Sequence, residues 1–114
     1  MQYYRQMTWI VELLDARVRD ELEALPADMR ARFRRIVELI QSRGLERMRE
    51  PHVEHLEGPL WEMRLKGKDG ISRAIYVTAR GRRVVVVRVF VKKTRKAPRH
   101  EIELAMERAK EVNP

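Results

Sequence analysis

Cationic side chains able to hold phosphate crowd into one part of this chain. Arg64, Lys66, Arg73, Arg88, Lys92, Lys93, Arg95 and Lys96 all fall between residues 59 and 100. That segment carries 13 Lys and Arg against two acids, Glu62 and Asp69, a net of +11; the whole chain is +8, so the remainder carries −3. A guanidinium presents a planar fork that grips two phosphate oxygens while staying charged. A lysine crowded by other cations releases its proton more readily and can then serve as a base. Charge concentrated in this way predicts a polyanionic partner, nucleic acid ahead of an acidic protein segment.

Other reactive types are sparse. The chain has no cysteine, which excludes disulfides and thiolate metal sites and points to a cytoplasmic compartment. His52 and His55, with Glu54 and Glu57, have the spacing of two metal ligands but stand in a stretch without regular pattern, so no metal or other cofactor is expected. His100 lies beside the basic cluster, where it could contact RNA. No apolar run approaches the roughly 18 residues of a membrane span, and the N-terminus lacks a signal-like apolar centre.

The elements that must carry these groups follow from hydrophobic period. A chain of 114 residues suits one domain, 1–114, with residues 1–7 as a flexible N-terminus. Thr8 to Leu14 reads as a strand, Asp15 as an N-cap, and Val18, Leu22 and Leu25 as one helical stripe. Pro26 opens a second helix bearing Met29, Phe33, Ile36, Val37 and Ile40, which Gly44 ends. Residues 45–58 show no sustained period. Trp61 to Lys66 then alternates as a strand, Ile71 to Thr78 follows, and Arg83 to Val91 forms a central β-branched strand. Pro98 opens a last helix with Ile102, Ala105, Ala109 and Val112 on one side.

These elements predict an α+β domain. Its antiparallel sheet combines the N-terminal strand with a three-stranded meander; a helical hairpin covers one face, and a helix closes the chain. Helices on one face leave Arg64, Lys66, Arg73, Arg88, Lys92 and Lys93 on the other face or in the groove at its end, with Arg73 half-exposed. Trp9 and Trp61 alternate inward as core residues. Tyr76 is placed either to stack on a base or to pack. The helical regions read as nearly balanced in charge.

Four segments together resemble a known family: Leu60-Trp61-Glu62-Met63-Arg64, Arg73-Ala74-Ile75-Tyr76, Phe90-Val91-Lys92-Lys93-Thr94, and Pro98-x-x-Glu101-Ile102. In this order they resemble the RelE/ParE toxin superfamily, and within it the HigB-like, phage-derived branch. The resemblance runs from about Trp9 to Val112. It implies the toxin of a two-component toxin–antitoxin pair that cuts mRNA on the ribosome and is held by a cognate antitoxin. Two positions depart from the branch's usual pattern: Arg88 stands where a histidine is common, and Ala97 where a threonine often precedes the last helix.

On this resemblance the reaction is metal-independent attack of a 2′-hydroxyl on the adjacent phosphate. Arg73, Arg64 and Arg88 would stabilise the phosphorane, and Lys66, Lys92 or Lys93 would supply the base, with Glu62 a further option. Lys92, Lys93, Arg95, Lys96, Tyr76 and His100 would hold messenger or ribosomal RNA. The same superfamily also contains inhibitors of DNA gyrase without nuclease chemistry. A non-enzymatic nucleic-acid-binding module is the third reading.

Overall fold

The computed structural model describes residues 8–49, 52–93 and 98–113, and local rules account for most of its elements. In chain order these are β1 (Ile10–Leu13), α1 (Ala16–Glu23), α2 (Ala27–Arg43), β2 (Val53–Glu57), β3 (Leu60–Gly67), β4 (Gly70–Ala79), β5 (Arg83–Lys92) and α3 (Arg99–Ala109). The Asp15 carboxylate accepts the backbone N–H groups of Arg17 and Val18, so α1 starts where an N-cap demands. Gly44 ends α2 at φ 91, a left-handed conformation that favours glycine. No helix among the described residues is long and apolar enough to cross a membrane.

The strands form one sheet in the order β1-β5-β4-β3-β2. β2 to β5 run antiparallel, whereas β1 pairs with β5 in parallel, from Ile10↔Arg83 to Leu13↔Val86. The sheet therefore differs from the expected one in two respects. It is mixed rather than wholly antiparallel, because the α1–α2 hairpin carries the chain across before the meander begins. It also has a fifth strand, β2, inside the stretch that lacks a readable period. A register shift between His55 and Glu57 breaks the alternation of so short a strand and hides it.

Both sheet faces are covered. The α1–α2 hairpin packs on Met63, Leu65, Ala74, Tyr76, Val84, Val86 and Val89. Helix α3 packs on the opposite face against Leu60, Ile75, Val77, Val85, Val87 and Phe90. The expectation put all the helical cover on one face and the cations on the opposite face or in the groove at its end. Instead, α3 covers part of that opposite face, and the valine run of β5 is buried on both sides. α3 covers only part of its face. The remainder, toward Gly67 and Lys92, carries the cations.

Candidate active site

The register brings several sequence-predicted cations together. Arg64 lies opposite Arg73, and Arg73 opposite Phe90, so one row crosses β3, β4 and β5 on the α3 face. The next row outward is Lys66, Ile71 and Lys92. The next row inward is Glu62, Ile75 and Arg88. Strand alternation puts all nine on the same face. Two arginines directly opposite one another repel, an unfavourable pairing of the kind folds keep at functional sites.

Burial distinguishes the two. Arg73 is 7% exposed, and its Nη1 donates to the Glu62 carboxylate at 2.6 Å. Glu62 is itself 1% exposed. The expectation of a half-exposed Arg73 is therefore corrected: burial binds it to a carboxylate that would otherwise be an isolated buried charge. Arg64 is half-buried and forms no salt bridge among the described residues, which leaves its guanidinium the better placed to meet a phosphate.

Two titratable groups with shifted pKa adjoin this pair. Lys92 is half-buried at the end of β5. Burial, followed by repulsion from Arg73 and Arg64, holds its ammonium below the ordinary lysine range. The Glu62 carboxyl is pushed up by burial, against the pull of Arg73 and Lys92. A lysine easier to deprotonate beside a carboxyl easier to protonate is an acid–base environment.

Other predicted residues lie elsewhere or have other partners. Arg88 is engaged by two carboxylates. Its Nε donates to Glu101 at 2.6 Å, and its Nη1 lies 2.7 Å from Glu21, which joins α1, β5 and α3. Glu21 also takes the Val89 N–H at 3.1 Å, and Arg108 donates to the Val87 carbonyl at 2.9 Å. β1 stops opposite Val86 and a bulge begins there, so these side chains satisfy backbone that a strand would otherwise pair.

Tyr76 is 1% exposed and belongs to the core on the hairpin face, across the sheet from Arg73, so it does not offer a stacking surface beside the cations. Lys66 and Lys93 are exposed near the cluster. His100 is exposed at the start of α3, 3.6 Å from Glu101. Arg95 and Lys96 lie outside the described residues, as do residues 1–7.

His55 hydrogen-bonds the Gly58 carbonyl at 2.9 Å and meets the Trp61 ring edge-on at 5.0 Å. Among the described residues no three His, Asp or Glu side chains converge as a metal requires. Trp61 is 39% exposed, a departure from the expected core position. It lines the larger cavity, about 970 Å³, with Trp9, Met48, Val53 and Tyr76 on the hairpin side. That mostly apolar hollow lies away from the Arg64–Lys92 cluster.

A smaller cavity of about 240 Å³ adjoins the cluster, lined by Arg32, His52, Arg64, Lys66 and Ile71. Sequence reasoning misses Arg32 because averaging over the helical regions conceals α2. That helix holds five arginines against Asp28 and Glu38.

The phage-derived protein Gp49-like family matches residues 20–110. Among solved structures, a mutant of the Escherichia coli toxin RelE in the free state is similar at TM-score 0.62 and 18% identity, covering 93% of this chain and 99% of that one. A chain of the archaeal RelE–RelB complex from Pyrococcus horikoshii is similar at TM-score 0.54 and 22% identity, covering 75% of this chain and 97% of that one. Both likenesses concern the fold. No curated protein matches the sequence.

Proposed function

We propose that this chain, which belongs to the phage-derived Gp49-like family, is the toxin of a toxin–antitoxin pair and a ribosome-dependent mRNA endonuclease of the HigB-like branch. The observation that carries the reading is the row Arg64–Arg73 with Lys92 beside it, a phosphate-sized group of cations around a lysine whose proton is loosened. The RelE fold and the complex of the archaeal relative with RelB support a toxin with a protein antitoxin.

In this reading the 2′-oxygen of the RNA attacks phosphorus and its proton passes to Lys92 in the neutral form. Arg64 holds the non-bridging oxygens as charge builds on them. Arg73 acts from beneath: it neutralises Glu62 and keeps the field at Lys92 positive. The bond from phosphorus to the 5′-oxygen then breaks, leaving a 2′,3′-cyclic phosphate. The 5′-oxygen takes its proton from the Lys92 ammonium formed in the first step, which returns the lysine to its neutral form. Lys93, Arg95 and Lys96 dock ribosomal RNA. Messenger and ribosomal RNA are the partners besides the antitoxin, in the cytoplasm.

Pulse-labelling after induction tests the reading. Translation should stop before DNA synthesis, and coexpression of an adjacent antitoxin gene should relieve the arrest. Arrest of DNA synthesis first would favour a gyrase inhibitor instead.

A further inference from the structure

The cavity that Arg32 enters lies where the sheet leaves an opening. β2 begins at Val53, opposite Met63, so beyond Arg64 the outer side of β3 has no strand beside it among the described residues. The cavity there is lined by Arg32 from α2, His52 from the segment before β2, and Arg64, Lys66 and Ile71 from the sheet. No acid lines it. Arg32, Arg64 and Lys66 form no salt bridge among the described residues, whereas Arg17, Arg83, Arg88, Arg99 and Arg108 all do.

The fold holds Arg32 at this place by two contacts one turn earlier on α2. The Asp28 carboxylate accepts the Lys68 N–H at 2.6 Å, fixing the helix to the β3–β4 turn. Gly67 allows the approach, since a Cβ there would stand 2.8 Å from Met29 Cγ and 2.9 Å from the Asp28 carboxylate. Arg32 follows Asp28 by four residues and so shares its side of the helix.

We infer that this cavity is a second phosphate subsite, in which Arg32, with Lys66 and His52, holds a backbone phosphate of the RNA neighbouring the one at Arg64. The inference rests on the nuclease reading for its ligand. Arg64 stands at the boundary of both sites and makes the track continuous from Lys92 across β4 and β3 to α2. The subsite grips backbone and is indifferent to base identity.

The test uses fluorescent single-stranded RNA oligonucleotides made uncleavable by 2′-deoxy substitution, with the full-length protein and its Arg32→Gln variant. Arg32 is exposed, so the variant should melt like the wild type. Its affinity should fall about three- to fivefold for every sequence, the range of one exposed ion pair. The slope of log affinity against log salt should become shallower by about 0.7, one phosphate fewer.

Equal binding and equal salt slopes for the two proteins would overturn the subsite, as would absence of wild-type binding. If Arg32→Gln lost the increment while the wild type never cut mRNA on programmed ribosomes, the subsite would stand and the nuclease reading would fall.

Discussion

Arg73 and Glu62 form a buried ion pair, N to O 2.6 Å, at side-chain exposures of 8% and 1%. Strands β3 and β4 bring them together diagonally, two residues out of direct register. Arg73 is thus both a support of the fold and a source of field at the site. A variant that removes it changes both, which shapes how the chemistry has to be tested.

Arg73→Ala should lose about 3–5 kcal/mol of stability, because it leaves the Glu62 charge buried and unpaired. The deficit should depend on pH. Glu62 already has a folded-state pKa above its ordinary 4.5, and without Arg73 it rises further. The folded variant then holds that proton more tightly than the unfolded chain. Its deficit is full above the folded pKa and shrinks as pH falls toward 4.5. Urea melts across acid to neutral pH check this. A deficit independent of pH would remove Glu62 as its cause.

Replacing both partners tells a different story. Arg73→Leu with Glu62→Leu should recover most of the stability lost by Arg73→Ala, since an apolar pair leaves no buried charge. Cleavage by the double variant should exceed that of Arg73→Ala, since Glu62, whose charge raises the Lys92 pKa, leaves together with Arg73. Denaturation and cleavage measured on the same preparation separate the two effects.

Arg88 belongs to the scaffold. Arg88→Ala should cost about 3 kcal/mol or more, the range for breaking a charged pair inside a network. Hydrogen exchange should then quicken in α3 and α1, which Arg88 links through Glu101 and Glu21. Unchanged exchange in both helices would show that the network does not hold them.

Gly67 is a packing position. Gly67→Ala should destabilise by about 1–3 kcal/mol as α2 is pushed from the turn. Retained stability in a thermal melt would show that Met29 and Asp28 yield without loss.

The meander, the helical hairpin and the closing helix were all legible, because period two and period 3.6 are strong where a run is long. β2 was not, since five residues with a register shift carry no clean alternation. The cluster was legible as a concentration of charge. Its internal order was not: only register reveals that Arg64 faces Arg73, that Glu62 takes Arg73, and that Glu21 and Glu101 take Arg88. Arg32 is not legible as a site residue, because an arginine on a helix surface looks the same in sequence whether or not a strand end lies beneath it.

Lys92 supplies a direct sign for the proton transfer. Its folded-state pKa lies below 10.5, with Arg73 and Arg64 contributing to the shift. Cleavage should therefore rise with pH along a limb centred below 10.5, as the neutral amine forms. In Arg64→Gln that limb should move up toward 10.5, because one neighbouring cation is gone. A limb that stays where it was in the wild type would exclude Lys92 as the group titrating.

Single-turnover cleavage of mRNA on programmed ribosomes by Arg64→Ala, with melting run in parallel, bears most directly on the site. Arg64 is half-buried and unpaired by any salt bridge among the described residues, so the variant should stay folded. Cleavage should fall by about 10²-fold or more, the usual effect of losing one preorganised charge-stabilising group. A folded Arg64→Ala protein that cuts at the wild-type rate would contradict the account.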